Sequence, residues 1–310
     1  MNNQGHNHPL ISVILFTYNQ ERYVEEAIMG LLSQDYDNIE FIFSDDCSQD
    51  MTPFIIQRYI NEKFLGRKVI FNRNERNLGI VGNLNKAISL ASGDYYVLAA
   101  GDDVSIGNRV SLSVEKIVEF GVDSLAMNFQ YIDAESKELN QKGYCGEEAL
   151  MIYSLDDYIC QRPIFPLGPS RIIHHRVYDI FGMMREDCPT EDTPLTFRSL
   201  LLSGVAMINQ VGVLYRWHGQ NISSYDNLMR RINPVKIYNQ YKADLATAYS
   251  KHLITFATYI KIRRILLDYK VVKVYERRLY HTHNRYKKYL LWMFFMMNPF
   301  VLKTHKMNLR

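Results

Sequence analysis

Leu10-Ile11-Ser12-Val13-Ile14-Leu15-Phe16 is an apolar run of strand length, closed at once by the polar Thr17-Tyr18-Asn19-Gln20. A run interrupted by a single serine suits a strand buried on both faces of a parallel sheet. A helical pattern follows, with Val24, Ala27, Ile28, Leu31 and Leu32 at i, i+3, i+4, i+7 and i+8. Ile39-Glu40-Phe41-Ile42-Phe43 reads as a second strand that ends in Ser44-Asp45-Asp46-Cys47-Ser48. Thr52-Pro53 then has the form of an N-cap followed by proline at the first helical position, and Ile55, Ile56, Tyr59, Ile60 and Phe64 continue that helix. The rhythm repeats with a short strand Val69-Ile70-Phe71, a helix over residues 81–91 and a strand over 95–100. Such alternation predicts right-handed βαβ units in a doubly wound, mostly parallel sheet. Ligands of these sheets bind beyond the carboxyl ends of the strands. Thr17-Tyr18-Asn19, Asp45-Asp46 and Gly101-Asp102-Asp103 all fall at strand ends, so they are expected on one rim.

Further along, the pattern gives a helix over residues 109–119 and a strand over 124–131. Residues 133–169 are punctuated by Gly143, Gly146, Pro163, Pro166 and Pro169, and read as loops and short elements with room for a lid. Order returns over 170–221, with a helix at 193–203, and the chain beyond Ile232 reads as helical. The expected organisation is a lead-in over residues 1–9, a catalytic α/β domain over 10–225 and a helical extension over 226–310.

The formal charge of +3 conceals an asymmetry. Residues 231–310 carry seventeen Lys and Arg against three Asp and Glu, while the rest of the chain is acidic. In that extension basic and aromatic residues interleave, as in Tyr259-Ile260-Lys261-Ile262-Arg263-Arg264, Arg277-Arg278-Leu279-Tyr280 and Tyr286-Lys287-Lys288-Tyr289. It ends in the apolar Leu290-Leu291-Trp292-Met293-Phe294-Phe295-Met296-Met297. A basic helix with a Trp- and Tyr-bearing apolar face suits an anionic membrane surface. Packing on the main domain or on a second subunit, giving a homo-oligomer, is the alternative. No nucleic-acid module is recognisable. The four cysteines lack C-x-x-C spacing, which fits a reducing compartment and argues against structural zinc. The start MNNQGHNHPLIS has neither the basic nor the apolar region of a signal peptide. Residues 289–302 are too short an apolar stretch to span a bilayer, which takes about 20 residues. A cytoplasmic protein, peripheral on the inner face of the cell membrane, is the expectation.

Three segments carry chemistry. Asp102-Asp103 offers hard oxygen ligands for Mg²⁺ or Mn²⁺ and, through the metal, for substrate phosphates. The same pair also suits an Asx turn or a helix start. A carboxylate in Asp45-Asp46-Cys47-Ser48 could accept the N3–H of a uracil or thymine ring, although turn chemistry explains the cluster equally well. In Asn74-Glu75-Arg76-Asn77-Leu78-Gly79-Ile80-Val81-Gly82-Asn83-Leu84-Asn85-Lys86, the glycines allow close backbone approach and the basic residues could face a diphosphate. Neither G-x-G-x-x-G after the first strand nor G-x-x-x-x-G-K-[ST] occurs, which weakens dinucleotide and P-loop readings.

Together these segments resemble the inverting glycosyltransferases of family 2, which have the GT-A fold. The resemblance covers roughly residues 9–221. It rests on Phe16-Thr17-Tyr18-Asn19, on Leu32-Ser33-Gln34-Asp35-Tyr36 with residues 40–50, on Asn77-x-Gly79 with Asn85, and on Ala91-Ser92-Gly93-Asp94-Tyr95 leading to Gly101-Asp102-Asp103. It implies that Asp46 binds the pyrimidine base in a pocket lined by Thr17 and Tyr18. Asn19, Asn77, Asn85 and Lys86 would complete the nucleotide site. Asp103 would hold the metal and Asp102 would contact the ribose or donor sugar. Two positions depart from the family. Gly101 stands where an acid often precedes the metal ligand, as in D-x-D, and Leu84 where a basic residue often precedes Asn85.

Downstream, Thr190-Glu191-Asp192-Thr193-Pro194-Leu195 with Arg198 resembles the family's acceptor-side acidic motif. The resemblance implies Asp192 as the base that takes the acceptor proton, with Glu191 as its substitute. Both also suit the start of a helix. Tyr215-Arg216-Trp217-His218-Gly219-Gln220-Asn221-Ile222-Ser223 resembles the family's closing stretch. There Arg216 and His218 would face the leaving diphosphate, with His218 as a third metal ligand.

The function expected is transfer of a sugar, with inversion, from a UDP- or dTDP-sugar to a hydroxyl of a glycan or lipid-linked acceptor. Bacterial O-antigen or capsule assembly is the expected setting. A sugar-phosphate nucleotidyltransferase is the rival enzyme, but it wants a Gly-rich basic loop where Thr17-Tyr18-Asn19-Gln20 stands. A membrane-recruited scaffold without turnover is the rival outside enzymology, supported by Gly101 and Leu84 alone.

Overall fold

The computed structural model describes residues 8–164, 168–219, 221, 224–282 and 287. The chain divides into two compact units after Gly219.

In the first unit the opening run is β1 (Ile11–Thr17), followed by α1 (Val24–Leu32), β2 (Ile39–Asp45), α2 (Thr52–Lys63), β3 (Lys68–Arg73), α3 (Gly79–Ile88) and β4 (Tyr95–Ala100). These strands pair in parallel in the order β3-β2-β1-β4. β1 is buried on both faces, as its composition requires. Ile11, Val13 and Leu15 pack with α1, α2 and α4 (Arg109–Phe120), whereas Ile14 packs with α3, α6 (Arg176–Phe181) and α7 (Asp192–Leu200). Thr52 lies inside α2 rather than before it; Asp50 caps the helix through the Thr52 N–H, and the Thr52 hydroxyl instead accepts the Gln20 N–H.

The other half of the sheet holds β5 (Val104–Ser105), β6 (Ser124–Ile132), β9 (Ile172–His174) and β10 (Val205–Arg216). β9 is antiparallel to both β4 and β6, so β6 runs in the direction of β4, and β10 is parallel to β6. The carboxyl ends of β1, β2, β4, β6 and β10 therefore share one rim. The punctuated region forms β7 (Glu138–Lys142), β8 (Leu150–Tyr153) and the five-residue α5 (Leu155–Ile159), both strands added antiparallel at the sheet's far side.

The second unit contains α8 (Tyr225–Arg231), α9 (Pro234–Ser250) and α10 (Phe256–His281). Ile237, Tyr241, Leu245 and Ala248 form the buried stripe of α9, and Tyr241 meets Tyr269 of α10 edge-on at 5.7 Å. Among the described residues no helix is long and apolar enough to cross a membrane. The apolar run from Leu290 to Met297, His283, and Ile222 with Ser223 lie outside the described residues.

Candidate functional site

At the β1–β2 corner each carboxylate is held by protein donors. Asp45 accepts the Thr17 hydroxyl at 3.1 Å and the hydroxyl and N–H of Ser48 at 2.5 and 2.9 Å. Asp46 reaches across to the start of α3. Its Oδ1 accepts Leu78 N–H and Asn74 Nδ2 at 2.8 and 3.0 Å, and its Oδ2 accepts Gly79 N–H at 2.9 Å. Asn77 adds a second acceptor for the Gly79 N–H at 3.0 Å. Asp46 thus supplies the charge that the amino end of a helix attracts, and it ties β2 to the loop before α3. Asn19, in the left-handed region at φ 51°, donates its N–H to Ser48 and accepts Gln49 N–H through its side chain. Between these fixed groups the Tyr18 side chain is 46% exposed, an open aromatic face on the rim.

Asn85 and Lys86 lie six and seven residues along α3 from Gly79, about 9–10 Å down its axis at 1.5 Å per residue. The Asn85 carboxamide is committed to the loop after α6, donating to Met184 O at 2.7 Å and accepting Met184 N–H at 3.2 Å. The structure therefore does not bring Asn85 and Lys86 to the rim with the other predicted residues. Arg73, which the sequence reading passed over, does reach it, donating to Ser48 O at 3.0 Å.

Asp102 and Asp103 follow β4. Asp103 Oδ1 accepts the Arg216 N–H at 2.9 Å, joining the ends of β4 and β10. Burial, then the charge of Asp102, push the Asp103 carboxyl well above its ordinary value against the pull of Arg216 and Arg109. Burial in turn drags the Arg109 guanidinium down to about 10. His218 Nε2 stands 3.2 Å from Asp102 Oδ2, and its ring stacks on Tyr23 at 5.2 Å. The Arg216 guanidinium is fully buried. It donates to Asp102 O, Asp133 O, Ser136 Oγ and Glu26 Oε2 at 2.8–3.2 Å and lies 4.7 Å over the Tyr23 ring. It is therefore a brace between α1, the end of β6 and the acid pair.

Gly101 is explained by sterics. A Cβ there would stand 2.5 Å from Gln20 Oε1 and 2.7 Å from Thr17 Cγ2. The Gln20 carboxamide fills the space beside Gly101.

Glu191 and Asp192 open α7. Arg171, just before β9, donates through Nη2 to Asp192 O and Thr196 Oγ1 at 3.0 and 2.9 Å. Its carbonyl accepts Leu98 N–H of β4, so the antiparallel register carries the preceding residues toward the end of β4. Gly168 there comes so close to Asp192 that a Cβ would lie 2.6 Å from Oδ2. Asp192 therefore opens α7 beside the stretch of chain that leads into β9. Burial raises both acids, Glu191 the further because Asp192 adds its charge. Glu191 Oε2 is buried without a hydrogen-bond partner.

Arg109, Arg171 and Arg216 are among the largest fully buried side chains, and each lies against one of these acids. Sequence reasoning missed the first two. Arg109 did carry a signal, since it occupies the buried stripe of α4 with Val110, Ser113, Val114 and Ile117.

No group of three His, Cys, Asp or Glu side chains placed to hold a metal exists among the described residues. Asp103 has one oxygen engaged by Arg216 N–H, and Asp102 lies beside it. That donor set fits a hard divalent cation that completes its shell with phosphate oxygens and water, as Mg²⁺ does. It does not fit a cage of protein ligands.

Comparison with known proteins agrees with this layout. The model of glycosyl transferase family 2 matches residues 12–186. An uncharacterised glycosyltransferase of Haemophilus influenzae is 25% identical over 94% of this chain and 87% of its own length. The Escherichia coli UDP-Glc:alpha-D-GlcNAc-diphosphoundecaprenol beta-1,3-glucosyltransferase WfgD is 28% identical over 41% of this chain and 48% of its own. Among solved structures, S. aureus TarS 1–349 in complex with UDP-GlcNAc superimposes with a TM-score of 0.61 at 20% identity, covering 84% of this chain and 72% of that one. The mixed, mostly parallel sheet has the GT-A fold of that neighbour. The chain belongs to glycosyl transferase family 2.

Proposed function

We propose that this glycosyltransferase moves a sugar, with inversion, from a UDP- or dTDP-sugar to a hydroxyl of a glycan or lipid-linked acceptor. The observation that supports the reading is the buried acid pair Glu191-Asp192 at the start of α7, braced by Arg171 and close to Gly168 just before β9. A base on one side of a bound sugar and a diphosphate-holding acid pair on the other is what inversion needs. Asp192 takes the acceptor hydroxyl proton while the acceptor oxygen bonds to the anomeric carbon. The bond from that carbon to the diphosphate breaks on the opposite face, and the nucleoside diphosphate leaves with the electron pair. Asp103, with Asp102, would hold Mn²⁺ or Mg²⁺, which when bound neutralises charge on the leaving diphosphate. Glu191 stays neutral beside the base, and Tyr18 offers the base of the nucleotide an aromatic face. Asp46 shapes that pocket through α3, with Asn19 and Asn77, and His218 orients Asp102.

The relative that acts on a diphosphoundecaprenol-linked sugar supports a lipid-linked acceptor and a role in bacterial surface polysaccharide, O-antigen or capsule. The basic extension supports a peripheral place on the inner face of the membrane. The test is a donor panel with Mg²⁺ or Mn²⁺ and a lipid-linked acceptor series. Release of nucleoside diphosphate with a new β- or α-linkage inverted from the donor supports the reading. Pyrophosphate release would favour a nucleotidyltransferase, and absence of turnover or hydrolysis across the panel a scaffold.

A further inference from the structure

Four residues of α10, Val274, Arg277, Arg278 and His281, stand at i, i+3, i+4 and i+7 and so share one face. That face and the first turn of α9, with Pro234 and Val235, border an open cavity of about 470 Å³. Its lining is mainly apolar, contains two guanidinium groups and an imidazole, and includes no carboxylate. The nearby acids are engaged elsewhere: Glu276 accepts Lys273 Nζ, and Asp226 accepts the Tyr280 hydroxyl, both at 2.8 Å. Arg277 is fixed by one N–H to Arg230 O at 3.3 Å, and His281 Nε2 lies 3.2 Å from Met229 O. The Arg278 guanidinium has no protein partner among the described residues. At the amino end of the 17-residue α9, Pro234 has no N–H and Asn233 Oδ1 accepts the Val235 N–H at 3.0 Å, so this end adds apolar wall to the cavity.

A free phosphate would satisfy the guanidinium groups and leave the apolar wall wet. A neutral apolar guest would cover the half-buried Arg277 and the Arg278 guanidinium without giving either a partner. An anion that carries hydrocarbon meets both demands. We infer that this cavity is a headgroup site for an anionic phospholipid, with the phosphate at Arg277 and Arg278 and the first chain carbons against Val274, Pro234 and Val235. This rests on the membrane-surface reading above and deepens it: the charge of residues 231–310 draws the chain to an anionic surface, and the cavity selects one lipid from it.

The test is co-sedimentation of the full chain with phosphatidylcholine vesicles doped with phosphatidylglycerol. Val274→Trp intrudes on the cavity's apolar wall without altering charge, and Arg278→Gln removes one cation; retained donor binding shows that each variant is folded. Both are expected to weaken binding several-fold, whereas glycerol phosphate does not displace the chain. The result for Val274→Trp is diagnostic, because tryptophan at an interface otherwise favours the bilayer. Undiminished binding by Val274→Trp overturns the cavity and leaves the membrane reading standing. No binding by the unaltered chain overturns both. Displacement by glycerol phosphate would make it a free-phosphate site, and a dimer lost on Val274→Trp would give the cavity to a second copy; either result overturns the inference.

Discussion

The main-chain N–H of Arg216 donates to Asp103 Oδ1 at 2.9 Å across a sequence separation of 113 residues. The same residue sends its guanidinium back through Asp102 O to Glu26 and Ser136. Burial acts to raise Glu26, but the hydrogen bonds from Ser136 and Arg216 outweigh it and hold that carboxyl below its ordinary value. The acid pair is positioned by a strand end and a helix that the sequence places far apart.

Arg216→Met is therefore expected to act first on stability. Removing the guanidinium leaves the Asp102 and Asp133 carbonyls without their donor while Glu26, half exposed, is resolvated, so the expected cost is about 1–3 kcal/mol, to be read from urea unfolding. Lost transfer with an unchanged unfolding midpoint would place Arg216 on the substrate instead.

Asp103→Asn and Asp192→Asn should separate donor binding from chemistry. The first is expected to abolish metal-dependent nucleotide binding by calorimetry. The second should keep donor affinity while transfer falls by about 10²–10⁴, the usual worth of a positioned base. Near-normal turnover by Asp192→Asn would assign the base elsewhere.

The pH profile follows from burial of the acid pair at α7. Asp192 is raised by burial, and Arg171 and the Glu191 hydrogen bond pull it back. A base must be ionised, so transfer should rise with pH through a midpoint above the ordinary Asp value of about 3.9. Glu191→Leu deletes a hydrogen bond that lowers Asp192, and the midpoint should move further up; a downward move would contradict this arrangement. Stability has the opposite slope. Between the ordinary carboxylate values and the raised ones the folded chain keeps protons that the unfolded chain has shed. Their stabilising effect is present in acid and lost as pH rises through the folded values. Glu191→Gln should raise the neutral-pH Tm, by about 2–4 °C for each kcal/mol recovered, and thermal unfolding across pH reads it.

Gly101→Asp would add an acid two residues before Asp103, yet it is expected to cost stability. The new side chain meets Gln20 and Thr17, and overpacking of this kind costs about 1–3 kcal/mol. Combining it with Gln20→Gly should recover part of that loss in denaturant titration. Full stability of Gly101→Asp alone would refute the steric account.

The alternating half of the fold was legible because β1, β2 and β4 are buried on both faces and so spell themselves out as apolar runs. The helix at Asp192 was legible from its opening residues. The antiparallel β9 was not, since Ile172-Ile173-His174 is too short to show a period. Nor was the real cast around the acids. Arg171, Tyr23, Glu26 and Gln20 act through partners from about 20 to 190 residues away, a separation that periodicity cannot register. Lys86 was placed on the correct helix but at the wrong depth, an error that the 1.5 Å rise exposes.

The approach of Gly168 to Asp192 links two properties usually treated as separate. Any change to that stretch of chain made in favour of a different acceptor also alters how tightly the Asp192 carboxylate is enclosed. New acceptor choice and a new working acidity would then be inherited together, so divergence among such transferases through this loop would leave a trace in their pH profiles.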